Sequence, residues 1–140
     1  MTRDEILTLL ARREEAFRNA DTVGMSTVYA DDAVLISPIF GTLKGRDAID
    51  ASHRKLFEVF KDMRVRTESP IIEGSRVAQT FSGDATHTSE LFGVPPTGRH
   101  FEISGVFVFE FRDGLIVRER RLYDFTALLL QLGVLKAKPA

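Results

Sequence analysis

The 140-residue chain contains no cysteine and no tryptophan. Without cysteine there is no disulfide, no thiol nucleophile and no thiolate metal site. Charge of one sign is not in excess either: 19 Lys and Arg face 20 Asp and Glu, for a net charge of −1. The basic residues are scattered, so the electrostatic footprint that binds nucleic acid or an anionic membrane is missing. No apolar run approaches the ~20 residues that span a bilayer. The first fifteen residues are heavily charged and lack a signal peptide's apolar stretch, and a cytoplasmic location is expected. The three histidines, His53, His87 and His100, have no paired spacing such as H-x-x-x-H, so no metal is expected. Nucleophile-elbow, phosphate-loop and dinucleotide signatures are also missing. No repeat, low-complexity stretch or linker divides the chain, and one domain over residues 1–140 is expected.

Phenylalanine is abundant: eleven Phe stand against two Tyr. Phe adds apolar surface with no polar tip to satisfy, which suits a dry core or a dry cavity.

Hydrophobic period orders the chain. Residues 4–20 read as a helix, with Ile6, Leu10 and Phe17 on an apolar stripe and Arg12, Arg13, Glu14, Glu15 and Arg18 mostly on its wet face. Asp21 and Thr22 can cap a second helix running to Val28-Tyr29. Residues 33–37 are a short β run ended by Pro38, and Gly41 and Gly45 mark turns. A third helix is expected over 47–60, with Ile49, His53, Leu56, Phe57 and Phe60 on one side. The period then drops to two. Residues 64–73 alternate in part, and 77–82 and 85–91 read as a strand interrupted at Gly83-Asp84. Residues 93–98 form a loop.

Two long β-prone runs, 101–112 and 115–123, flank Asp113-Gly114, a dipeptide suited to a type I′ turn. A two-residue turn makes every opposed pair sum to 227. That register puts Ile103, Gly105, Phe107, Phe109 and Phe111 on a face with Ile116, Arg120, Leu122 and Asp124. Val106, Val108, Glu110, Val117, Glu119, Arg121 and Tyr123 fall on the other face, where Glu119 and Arg121 would be cross-strand salt-bridge partners. A sheet apolar on both faces is covered on both, by the helices on one side and by a second copy of the chain on the other. A short helix over 125–132 stops at Gly133. Helices placed before an antiparallel sheet indicate an α+β fold. A curved sheet filled by three short helices leaves a cone with a cavity, and small, central Gly105 is consistent with open space there.

Asp124 is the first candidate for chemistry. Among Phe rings a carboxylate is poorly solvated, which raises its basicity and suits a general base for carbon-bound protons. Placed just before a helix, it is equally suited to be the N-cap. His87, within a strand, can donate or accept a proton near neutrality or be a hydrogen-bonded structural residue. His53 on an apolar helix face fits a satisfied core histidine. Arg120 could anchor an anion or stand at the pocket mouth. Residues 93–98 could be a lid or only a connection.

Several motifs are family-like. Tyr29-Ala30-Asp31-Asp32-Ala33, Pro38, Gly41 and Gly45-Arg46-Asp47-Ala48-Ile49 resemble the first half of nuclear-transport-factor-2-like domains. Thr86-His87-Thr88, Gly93-Val94-Pro95-Pro96-Thr97-Gly98-Arg99, Phe101-Glu102-Ile103-Ser104-Gly105-Val106, Asp113-Gly114-Leu115-Ile116-Val117, Tyr123-Asp124-Phe125 and the run from Leu128 to Leu135 resemble the SnoaL-like polyketide cyclase (ester cyclase) branch. The resemblance implies an α+β cone, usually a homodimer, with an internal pocket for a small hydrophobic or polyketide-like molecule. It also implies ring closure by intramolecular aldol condensation without metal or cofactor. The acid–base aspartate of such cyclases corresponds to Asp124; in the enzyme reading built on it, His87 polarises or protonates an oxygen. Phe17, Tyr29, Ser37, His53, Phe57, Phe92, Phe107, Phe109 and Arg120 are then expected to contact substrate. Related steroid isomerases carry an Asp where this chain has Ser37, and a Tyr near Arg13-Glu14-Glu15, so their chemistry is not expected. Two other readings stay open: a binding module that leaves its ligand unchanged, and an interaction domain with a vestigial pocket.

Overall fold

The computed structural model describes residues 1–136; residues 137–140 of the expected domain lie outside the described residues. Helix α1 spans Arg3–Arg18. It starts where the Thr2 hydroxyl accepts the Glu5 backbone N–H, a side-chain cap for one of the donors a first turn leaves free. Its buried stripe is Ile6, Leu9, Leu10 and Ala16, and Arg13 is buried with them. Helix α2, Thr22–Ser26, is capped by Asp21, as the sequence predicts. It stops short of Val28-Tyr29, because Tyr29 opens strand β1, Tyr29–Ser37. Strand β2, Gly41–Lys44, folds back on β1. Gly45, at φ +92°, turns the chain into α3, Arg46–Val59.

Strands β3 (Arg64–Thr67), β4 (Ile71–Glu73), β5 (Arg76–Thr86), β6 (His100–Arg112) and β7 (Leu115–Tyr123) follow, and α4, Phe125–Gln131, closes the fold. The sheet order is β2-β1-β7-β6-β5-β3, with β4 also paired to β5. All pairs are antiparallel except β1 with β7. The architecture is therefore the expected α+β cone: helices on the inner face of a curved, unclosed sheet. Strand β5 is not interrupted at Gly83-Asp84. Gly83 pairs in register with Ile103, and a Cβ there would lie 3.2 Å from the Arg64 carbonyl; the glycine permits close strand approach. The strand ends at Thr86, and Leu91 makes only an isolated bridge to Val94.

The β6–β7 hairpin carries the main departure. Asp113 and Gly114 both have positive φ, 53° and 79°, as a type I′ turn requires. Next to the turn the pairs sum to 227, Arg112 with Leu115 and Phe111 with Ile116. Beyond them the register shifts: Glu110 faces Arg118, Phe109 faces Glu119, and Phe107 faces Arg121. Val117 is the extra residue of a β-bulge, and one extra residue turns every later side chain to the opposite face. Glu119, Arg121 and Tyr123 thus join the Phe face. Arg120 and Leu122 are turned outward and are exposed.

The core has two parts. Ile6, Leu10, Met25, Leu35, Ile49, Phe109 and Ile116 are among those that fill the closed end of the cone. Leu56, Phe60, Phe101, Leu128 and Leu132 pack at the other end, where Gln131 pins α4 to β6 by a pair of 2.8 Å hydrogen bonds to the Glu102 backbone. Gly105 leaves no open space. A Cβ there would collide with the Leu122 carbonyl and the Tyr123 Cβ, so glycine serves the tight crossing of β6 and β7. Among the described residues no helix is long and apolar enough to cross a membrane.

Candidate functional site

Between the inner face of the sheet and helices α3 and α4 lies a cavity of about 60 Å³. On a scale of about 10–15 Å³ per water it has room for a short chain, and a ring would need the walls to give. Its walls are overwhelmingly apolar, with Phe17, Phe60, Phe81, Phe101 and Phe107 prominent. Phe81 and Phe107 stack in parallel, centroids 4.1 Å apart, and Phe17 stands edge-on to Phe57 at 5.2 Å. The polar side chains reaching the wall are Ser37, Tyr123, Asp84 and Arg121. The Asp84 carboxylate is engaged elsewhere, accepting from His100 Nε2 at 2.9 Å. Arg121 is the other charged residue of the wall, with little polar surface turned to the cavity.

Arg121 belongs to a buried network assembled from four elements. Glu119, fully buried on β7, accepts from Arg121 Nε at 2.6 Å, from Arg13 Nη2 on α1 at 3.0 Å and from the Tyr29 hydroxyl on β1 at 2.6 Å. Arg121 Nη2 donates to His53 Nε2 on α3 at 2.7 Å. Arginine offers donors only, so Nε2 is the acceptor and the neutral ring carries its proton on Nδ1. That Nδ1 is buried without a partner. The Arg13 guanidinium also lies over Phe107 and Phe109, 4.7 and 5.1 Å from their centroids, the aromatic-face geometry that favours a cation.

The titration behaviour follows from this packing. Burial alone would raise the Glu119 carboxyl, but Arg13 and Arg121 outweigh it and hold the group down at about 2. Burial would lower Arg13, yet Glu119 and Tyr29 bring it above its ordinary value. Tyr29 is pushed up to about 12 by burial and by the Glu119 charge. Burial, assisted by Arg121, keeps His53 well below the ordinary histidine range, hence neutral. Tyr123 rises to about 12 through burial. At neutral pH the network is therefore two cations, one anion and two neutral rings.

The structure distributes the expected site residues unevenly. Phe17, Ser37 and Phe107 line the cavity. Tyr29 and His53 lie behind Arg121 in the network, with Phe109 under Arg13 and Phe57 beside Phe17 and His53. Phe92 is exposed with φ 47° and meets Phe40, a wall residue, edge-on at 6.0 Å. Arg120 is on the opposite face because of the bulge. Asp124 is exposed and caps α4, accepting the Ala127 N–H at 2.9 Å; the expected burial among Phe rings is not found, since the shifted register turns Tyr123 inward instead. His87 is fully buried but outside the cavity wall. Thr97 holds it through a 3.0 Å bond between its hydroxyl and Nδ1, and Nε2 has no partner. Arg13, Glu119, Arg121 and Tyr123 were not expected at the site. The signal for Arg13 was its position between Leu9, Leu10 and Ala16 on α1.

A family model described as SnoaL-like polyketide cyclase matches residues 8–132. Among solved structures, AclR of Streptomyces galilaeus, a candidate hydroxylase, is 25% identical, with 99% of this chain and 91% of that chain covered and a TM-score of 0.84. IdmH of Streptomyces antibioticus, a candidate polyketide cyclase, is 30% identical over 90% of this chain and 96% of that chain, with a TM-score of 0.76. A candidate SnoaL-like polyketide cyclase from Jannaschia sp. CCS1, 20% identical, shares the fold at a TM-score of 0.84, with 97% of this chain and 94% of that one covered. No curated protein matches the sequence.

Proposed function

The chain belongs to the SnoaL-like polyketide cyclase family, and we propose that it takes a small, largely apolar organic molecule into the cone and catalyses cyclase-type proton-transfer chemistry on it. The observation that carries this reading is Arg121, a buried arginine in the wall of a largely apolar cavity. Removing a proton next to a carbonyl places negative charge on oxygen. A fixed cation in a water-poor site stabilises that charge without having to reorganise. The Phe walls hold a flexible substrate near its reactive geometry. The base in this reading is Asp124, which neighbours the wall residue Tyr123 and must leave the α4 cap to act. His87 is the proton donor to oxygen in this reading, and its Nε2, buried outside the cavity wall, must be uncovered for it to act. The reading includes a homodimer through the outer sheet face, where Leu122 is 45% exposed; sedimentation would measure it.

The test is deuterium exchange at the methyl protons of acetophenone, a small single-ring carbon acid, followed by proton NMR. The wild-type protein should accelerate exchange, and Arg121→Met, verified as folded, should not. Asp124→Asn keeps a competent cap and removes the base, so loss of exchange in that variant assigns the role. No acceleration by the wild type, or full acceleration by Arg121→Met, refutes the enzyme. One observation favours a second reading, a binding module: among the described wall residues no free carboxylate or imidazole faces the cavity. In that case ligand binds, Arg121→Met weakens it, and no exchange occurs.

A further inference from the structure

The charges of the network do not balance. Arg13 and Arg121 contribute two positive charges and Glu119 one negative. The hydroxyl of Tyr29 and the ring of His53 are neutral. The charges acting on His53 are those of Arg121, Glu119 and Arg13; Asp84, the carboxylate residue of the cavity wall, is hydrogen-bonded to His100 Nε2 and has no hydrogen bond to the network among the described residues. One positive charge is thus left over in a buried site, and a buried charge is costly unless paired.

The surplus is also directed. Arg121 spends Nε on Glu119 and Nη2 on His53, while Nη1 has no partner among the described residues. The guanidinium plane is fixed by these two bonds, and Arg121 is the member of the network that lines the cavity. An orphaned N–H in the same cluster, His53 Nδ1, is a second unanswered donor. An unanswered donor on Arg121 and a net positive charge on the network behind it, beside a small apolar cavity, leave a place for one more anion.

We propose that the ligand of this pocket is a small organic acid, aromatic or otherwise unsaturated, bound as its anion, with the carboxylate or enolate oxygen on Arg121 Nη1 and the ring among Phe17, Phe81 and Phe107. The inference rests on the pocket reading above and goes beyond it. There the negative charge develops only during reaction; here the resting ligand already carries it. Glu119, Tyr29 and His53 are positioning residues that hold the guanidinium and do not touch the ligand.

The test compares benzoate with nitrobenzene, which has the same shape and no net charge, by NMR titration of the nitrogen-15-labelled full chain. Benzoate is expected to bind at least about tenfold more tightly, since a hydrogen bond to a charged group is worth that factor. It should also shift the Arg121 Nε–Hε resonance, assigned by its disappearance in Arg121→Lys. Arg121→Met should abolish the preference; if that variant does not fold, the wild-type Nε–Hε shift decides. Equal binding of the two probes overturns the anion inference and leaves the pocket standing. Binding of neither overturns the pocket reading and this inference with it. Preference for benzoate without any change at Arg121 places the anion elsewhere and also overturns the proposal.

Discussion

Glu119→Gln tests the network most directly. The substitution keeps the size of the side chain and removes its charge, so Arg13 and Arg121 are left buried with a neutral acceptor between them. Removing one partner of a buried ion pair costs about 3–5 kcal/mol, against a total stability of about 5–15 kcal/mol for a domain. The pKa gives a second route. Glu119 is held at about 2, against an ordinary value of 4.5. At about 1.4 kcal/mol per unit, that is about 3 kcal/mol of stability at neutral pH. The sign is fixed by the direction of the shift. A carboxyl depressed in the folded state contributes fully above its unfolded pKa, and the contribution drains away as pH falls from about 4.5 through about 2. His53, also depressed, weakens the fold in a separate window, as pH falls below its ordinary 6.5 and unfolded chains take up a proton that folded ones refuse. Urea unfolding followed by circular dichroism at several pH values separates the two. At pH 7 the Gln variant should be less stable by about 3–4 kcal/mol, or roughly ten degrees in melting temperature. By about pH 3 more than half of that gap should have closed, while the histidine window persists in both proteins. Equal stability at pH 7, or a gap that does not shrink with acid, refutes the buried ionised network.

Both tyrosines of the chain are raised to about 12, so ultraviolet titration should show almost no phenolate at pH 10 in the folded state; half-titration there refutes the burial of Tyr29 and Tyr123. Gly105→Ala drives a methyl into the Leu122 carbonyl and should cost about 3 kcal/mol or more, read as a lower melting temperature; an unaffected melt would mean that β6 and β7 are not in close contact. Thr2→Ala removes the α1 cap and should cost about 1 kcal/mol in urea unfolding, without altering ligand binding.

The elements that rest on short-range chemistry were legible in the sequence. The Asp21 cap, the Asp113-Gly114 turn, the stop at Gly133 and the amphipathic face of α3 each depend on a few adjacent residues, and each stands in the structure as expected. Strand β1 was underestimated because residues 29–32 are Tyr-Ala-Asp-Asp. Two exposed aspartates hide a strand whose reason for forming is parallel pairing with β7, a contact with no local trace. Wall residues Phe17 and Phe107 were legible for the same reason as the core, Phe on a periodic inner face, whereas Ser37 was singled out only through the family resemblance. The charged part of the site was not. Arg13 was assigned to the wet face since arginine is rarely buried, and only a partner 106 positions away makes it otherwise.

The bulge at Val117 decides what kind of cavity this is. Residues 118–123 read Arg-Glu-Arg-Arg-Leu-Tyr, so either register turns charge inward, and the hydrophobic pattern cannot choose between them. Without the extra residue, Arg120 and Leu122 would face the Phe rings and Glu119 would be spent on surface salt bridges, which are worth little. With it, Glu119 and Arg121 meet Arg13, Tyr29 and His53, and the sheet buries charge where apolar side chains would give equal or greater stability. Stability alone therefore does not account for residues 13, 119 and 121. A guanidinium fixed by a carboxylate and an imidazole is preorganised. Beside Phe107, away from bulk water, its field is much stronger than the same group would exert at the surface. That property has a use only if something with negative charge, resting or developing, enters the space in front of it.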